Sequence, residues 1–199
     1  MKNPFHVMII PTLGCPGRCK YCWSSDETSP RMPLDTIDDI VRWLKPLEDQ
    51  RVTFTFHGGE PLLAGAEFYR KALKKISEGL PHLSPEFAIQ TNLWLMDDEL
   101  AEIFAEYRVP IGSSIDGPEE LTNYQRGDEY FERCLAGYKI AVDHGLLVRF
   151  ICTFTNSSVK QKEAIVNFFK EQGWVMKLHP ALPSLKGENP NAWTLEPEE

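Results

Sequence analysis

Short apolar runs alternate with stretches of helical periodicity along this chain. Phe5–Ile10 is an apolar run of strand length. Leu34–Leu47 puts Ile37, Ile40, Val41, Leu44 and Leu47 on one helical face, with Asp35 placed to cap it. Val52–Phe56 alternates Val52, Phe54 and Phe56 with Thr53 and Thr55, the period of a half-buried strand. Ala66–Ile76 predicts a helix through Phe68, Tyr69, Ala72, Leu73 and Ile76. Phe87–Thr91 predicts a strand, and Asp97 caps a helix carrying Leu100, Ile103, Phe104 and Tyr107. Val109–Ile115, Leu146–Phe154 and Trp174–Leu178 predict three more strands, separated by helices over Asp128–His144 and Val159–Gln172.

Strict alternation with short turns predicts a parallel sheet joined by right-handed crossovers. Six strands are too few for a closed eight-stranded barrel. The expected fold is α/β, a partial, open parallel (β/α)6 barrel over residues 1–180. A doubly wound open sheet is the alternative. Residues 181–199 are rich in Pro and Gly and predict an irregular segment. Thr194–Glu199 reads as a helix start, with Thr194 as cap, Pro197 in the first turn and acids at the positive end of the dipole. On that reading the chain is a piece of a longer protein, truncated before its last helix; a solvated acidic tail is the other reading.

Composition narrows the partners. The 199 residues suffice for one domain with a core, and the net charge of −8 comes with no basic stripe, so no nucleic acid is expected. No run approaches the ~20 apolar residues of a membrane span. Phe5–Ile10 is too short for a signal-peptide core. Five cysteines, three of them clustered, argue for metal ligation rather than disulfides, and so for a reducing, cytoplasmic setting.

The unusual polar groups collect after the predicted strands, where α/β barrels hold their chemistry. Cys15, Cys19 and Cys22 follow the first strand, in C-P-G-R-C-K-Y-C. His57-Gly-Gly-Glu-Pro61 follows the second. Gln90-Thr-Asn92 ends the third, Ser113 to Pro118 the fourth, and Thr153 to Asn156 the fifth; His179 ends the sixth. Three thiolates can bind one metal centre, and in a four-iron cluster they leave one iron open. A zinc site with His57 as fourth ligand is the alternative. Gly58 and Gly59 let backbone approach a ligand closely, and Glu60 is a lone acid that could meet an ammonium. Asp116-Gly-Pro equally suits a plain turn. Cys134 and Cys152 read as buried small hydrophobes.

The spacing Cys15-x3-Cys19-x2-Cys22, with Tyr21 before the last cysteine, resembles the signature of the radical S-adenosylmethionine (SAM) superfamily. His57-Gly-Gly-Glu-Pro61 resembles its GGEP motif. The resemblance covers nearly the whole chain and implies a cluster on the three cysteines whose fourth iron is chelated by SAM. By it, Tyr21 lies near the adenine, Gly58, Gly59 and Pro61 border the methionine part, and Glu60 takes its ammonium. One-electron cleavage of SAM would give a 5′-deoxyadenosyl radical that abstracts a substrate hydrogen. Gln90 to Glu99 and Ser114 to Glu120 look like the branch of anaerobic sulfatase maturases and other peptide-modifying enzymes, with Leu93 where that branch has Gly. This implies Ser114 and Arg126 at the SAM carboxylate, Asp116 at the ribose or supporting the rim, and Gln90, Asn92 and His179 toward substrate. It also implies a peptide or protein substrate, a reductant such as ferredoxin or flavodoxin, and a cysteine-rich C-terminal extension that this sequence lacks. A small-molecule substrate or a glycyl-radical activase is the alternative within the family. A non-catalytic metal- or cluster-binding module is the alternative outside it.

Overall fold

A computed structural model of the chain describes residues 5–22, 28–48, 50–183 and 192–195. Its strands are β1 (Phe5–Thr12), β2 (Val52–Gly58), β3 (Glu86–Gln90), β4 (Ile111–Ser114), β5 (Val148–Phe154) and β6 (Met176–Pro180). The helices are α1 (Asp35–Leu44), α2 (Ala66–Gly79), α3 (Asp98–Glu106), α4 (Glu119–Arg126), α5 (Tyr130–Asp143) and α6 (Lys162–Gln172). All strand pairs are parallel, in the order β1-β2-β3-β4-β5-β6.

That order decides between the two expected architectures. Each crossover moves the chain one strand in the same direction, so right-handed crossovers put every helix on one face. A doubly wound sheet would reverse direction and place helices on both. The fold is an open partial barrel, and its register shows the two faces. Ile9, Phe56, Ile89 and Ile111 lie opposite one another in successive pairs and are buried under the helices. On the other face Met8, Thr55 and Ala88 are opposite one another, and Gln90, Gly112 and Arg149 form the next level. Among the described residues this face carries no helix, and Met8 remains 56% exposed.

Under the helices, Tyr69 meets Phe56 and Phe104 edge-on, with ring centroids 5.2 and 5.0 Å apart. Trp174 closes the far end against Phe150, and its indole N–H donates to the Tyr138 hydroxyl at 3.1 Å. Asp97 caps α3 as expected, its Oδ1 accepting from the Leu100 amide at 2.8 Å. At α1 the expected Asp35 cap is absent. Leu34 is the flanking residue, already at helical φ −63°, and the chain winds in from Pro33 without a side-chain cap. The helix expected over 128–144 proves to be α5, and a further helix, α4, precedes it. Of the helix start expected over Thr194–Glu199, Thr194 and Leu195 lie in no regular element, and residues 196–199 fall outside the described residues.

One glycine shows how packing overrides propensity. Gly137 lies inside α5, where Ala would ordinarily favour the helix by about 1 kcal/mol. A methyl there would lie 2.1 Å from the backbone oxygen of Leu93. Leu93 itself is fully buried at φ +68°, a left-handed conformation that favours glycine and is strained for Leu. Gly137→Ala is therefore expected to destabilise the protein by roughly 1–3 kcal/mol, the range of overpacking. Equilibrium urea unfolding measures it; a stabilised variant would show that α5 does not clamp this loop.

Candidate active site

The cysteine loop is held by the backbone of its neighbours. The Gly59 amide donates to Thr12 O at 3.1 Å and the Glu60 amide to Gly14 O at 2.7 Å. From the other side the Lys20 amide donates to Gln125 O on α4 at 2.8 Å. The two glycines after β2 permit this approach. A methyl on Gly59 would lie 2.2 Å from Gly14 O, and one on Gly58, at φ +122°, 2.4 Å from Thr12 O. Their smallness serves loop-on-loop packing.

Cys15, Cys19 and Cys22 then line a cavity of about 160 Å³ together with Asn92, Ser114 and Arg126. Burial pushes the Cys15 thiol up to about 12 and the Cys19 thiol up to about 11. A nucleophilic cysteine needs the opposite shift. These thiols are suited to a metal that displaces their protons on binding. The donor set is soft and all-sulfur, as an iron–sulfur cluster requires. Among the described residues no three His, Cys, Asp or Glu side chains are placed to share one metal ion. A zinc ion would need that convergence, whereas a four-iron cluster takes each thiolate on a different iron. The Cys15 sulfur accepts from the Gly17 amide at 3.3 Å and from Asn92 Nδ2 at 3.9 Å, which orients it without closing it off.

Glu60 lines the same cavity and is tied into the loops around it. Its carboxylate is fully buried and already accepts three donors: the Thr91 hydroxyl at 2.6 Å, the Leu62 amide at 2.9 Å and the Asn92 amide at 2.7 Å. It ties the loop after β2 to the loop after β3. Burial raises its pKa to about 7 against the pull of those donors.

Asp116 is the hub of a second hydrogen-bonded network at the rim. Arg126 reaches it through Nε at 2.8 Å and Nη2 at 2.7 Å. Tyr21 Oη and Gln125 Nε2 donate to Oδ2 at 2.8 and 2.7 Å, and the Thr153 amide to Oδ1 at 2.8 Å. Burial pushes the Tyr21 phenol well up, so it remains a donor. Arg126 also lines the cavity, with its third nitrogen, Nη1, 3.4 Å from the Tyr130 hydroxyl. Tyr21 is likewise turned to Asp116 and is not among the residues lining the cavity.

Of the other expected residues, Gly58, Gly59, Gln90, Asn92 and Ser114 line the cavity; Pro61 and His179 do not. Gln90 Nε2 donates to Ser114 Oγ at 3.3 Å. His57 also lines it, its Nδ1 accepting from the Gly58 amide at 2.7 Å. Sequence reasoning did not single out Gly17, Thr91, Gln125 or Tyr130. The signal for Gln125 was Pro118-Glu119-Glu120, a helix start with acids in its first turn.

Three loops thus meet at the C-terminal ends of β1, β2 and β3, with thiols converging on one cavity, and the sequence profile of the Radical SAM superfamily matches residues 9–169. The chain belongs to the radical SAM superfamily. The cofactors of that superfamily are a four-iron, four-sulfur cluster and SAM. It is 59% identical over 195 residues to an uncharacterized protein of Methanothermobacter thermautotrophicus, covering 98% of this chain and 74% of that one. It is 26% identical to the cysteine-type anaerobic sulfatase-maturating enzyme of Clostridium perfringens, over 85% of this chain and 49% of that enzyme. Native anSMEcpe with bound AdoMet and Cp18Cys peptide superposes with a TM-score of 0.86 at 25% identity, covering 98% of this chain and 56% of that one. The chain thus spans about half the length of these sulfatase-maturating relatives. Among the described residues no helix is long and apolar enough to cross a membrane.

Proposed function

We infer that this chain is the cofactor-binding core of a radical SAM enzyme that modifies a peptide or protein side chain. The observation that carries the reading is the convergence of Cys15, Cys19 and Cys22 on one cavity beside a polar, helix-free sheet face. The sulfatase-maturating relatives and the peptide-bound neighbour support the choice of substrate.

Cys15, Cys19 and Cys22 would hold three irons and leave the fourth for SAM. When bound, the cluster and SAM supply one-electron cleavage and hydrogen-atom abstraction, chemistry that belongs to the cofactors. The protein's share is position and dryness. Asn92 and Gly17 orient the Cys15 sulfur. Glu60 fixes the loop that bears Asn92. The Asp116–Arg126 pair keeps α4 against the cysteine loop, so its donors are in place before any ligand arrives. Gln90 and Ser114 offer polar contacts where the cavity opens onto the sheet face. An external reductant such as ferredoxin or flavodoxin would deliver the electron.

The test is anaerobic reconstitution with iron and sulfide, followed by reduction in the presence of SAM and a cysteine- or serine-containing peptide. Iron, acid-labile sulfide, 5′-deoxyadenosine and a mass change in the peptide are expected. Cys19→Ala should lose most bound iron and all SAM cleavage, since two thiolates hold a cluster poorly. Equal iron in that variant, by metal analysis, would remove Cys19 from the ligand set.

A further inference from the structure

The open face of the sheet is electrically one-sided. The register places Arg149 beside Gly112 and Gln90, level with the mouth of the site. Lys177 stands beside Ile151 and Ser114 in the next level, and His179 beside Thr153 in the one after. Both long cations are exposed, and neither has an ion-pair partner among the described residues. The acid on the same face of β3, Glu86, is paired with Arg51 at 2.7 Å. The acid above β4, Asp116, is buried against Arg126. So β5 and β6 present uncompensated positive charge to the space in front of the site, within a chain whose net charge is −8.

An edge strand is often protected by an inward-pointing lysine, and that accounts for Lys177 alone. Arg149 lies on β5, between β4 and β6, where no edge needs protection. Its level is also kept clear. A methyl on Gly112 would lie 2.2 Å from Gln90 Oε1, so glycine lets the Gln90 amide lie over β4 where a larger residue would make it turn aside. Strands about 4.8 Å apart put Ser114 and Lys177 about 10 Å from each other across Ile151. That is about three residues' span for an extended segment lying across the sheet. Overall negative charge does not cancel this local field, because screening at physiological salt confines interactions to about 8 Å.

We propose that Arg149 and Lys177 anchor a carboxylate of the substrate, an acidic residue of the peptide that lies across β5 and β6 with its reacting residue at the cavity. This rests on the peptide-modifying reading above and adds the charge of the peptide. Arg149 supplies a planar fork suited to bidentate carboxylate binding, and Lys177 a second point charge.

The probes are two fluorescein-labelled nonapeptides with a central cysteine, one flanked by glutamates and the other by glutamines, read by fluorescence anisotropy on the anaerobically reconstituted protein. The acidic probe is expected to bind at least tenfold more tightly, with the preference shrinking as sodium chloride is raised. The R149Q/K177Q double variant should lose the preference, and R149K/K177R should keep most of it, which separates charge from folding. A wild-type protein that cleaves SAM but discriminates less than threefold between the probes overturns the anchor and leaves the family reading intact. Tenfold discrimination without SAM cleavage supports the anchor and sinks the enzymatic reading of this chain. Displacement of the acidic probe by micromolar glutarate would assign the cations to a small carboxylic acid and overturn the peptide proposal.

Discussion

Asp116→Ala is expected to destabilise the protein by about 3–5 kcal/mol, the cost of stranding a buried ion. Arg126 would keep its charge at 6% exposure with no carboxylate beside it. The loss extends beyond the pair, because Tyr21, Gln125 and the Thr153 amide donate to the same carboxylate. Their buried donors would lose their acceptor together. Removing both charges, in Asp116→Ala with Arg126→Met, should be milder than Asp116→Ala alone, since no ion is then left unpaired. Urea unfolding of the two variants decides. A loss below 1 kcal/mol in the single variant would show that water reaches Arg126 and that the hub is not a dry structural element. Because the Lys20 amide bonds Gln125 O, the single variant should also loosen the cysteine loop, visible as faster exchange of the Lys20 amide hydrogen.

The parts of this molecule legible in sequence are those whose physics is local. Phe54 and Phe56 alternate with Thr53 and Thr55 because β2 has one face under helices and one face open, so burial repeats with period two. Cys15, Cys19 and Cys22 could be read together because one loop carries them all. Helix α4 left no such trace. Its buried residues include Thr122, Gln125 and Arg126, satisfied by hydrogen bonds rather than by apolar packing, so hydrophobic periodicity has nothing to register. The Asp116 hub was hidden for a related reason: its partners come from positions 21, 125, 126 and 153, and only folding makes them neighbours. In sequence Glu60 is a lone acid after two glycines. Nothing local says that Thr91 and Asn92 will take up its oxygens. The departure at Leu93 was visible, and its consequence was not. The loop keeps the left-handed turn that glycine would favour, with a fully buried leucine whose backbone oxygen comes against α5 where Gly137 leaves room.

Glu60 also yields the prediction with a defined pH window. Glu60→Ala leaves the Thr91 hydroxyl and the Leu62 and Asn92 amides without their acceptor, and it should cost roughly 2–4 kcal/mol after the relief of burying a carboxylate is counted. The pH dependence follows from the raised pKa. The folded protein holds the Glu60 proton up to about pH 7, whereas the unfolded chain releases it near 4.5. The native state therefore binds more protons between these values, so this group's favourable contribution is complete below about 4.5 and is lost as pH rises through about 7. Glu60→Gln cannot titrate. It keeps an oxygen for Thr91 and Leu62 but turns an amide donor toward the Asn92 N–H. The stability gap between the wild type and Glu60→Gln should accordingly narrow from pH 5 to pH 8, as the wild-type carboxyl takes on a buried charge. A gap that is constant over that range would mean the carboxylate is ionised throughout. The three donors would then outweigh burial, and Glu60 would stand as a permanent negative charge beside the thiols.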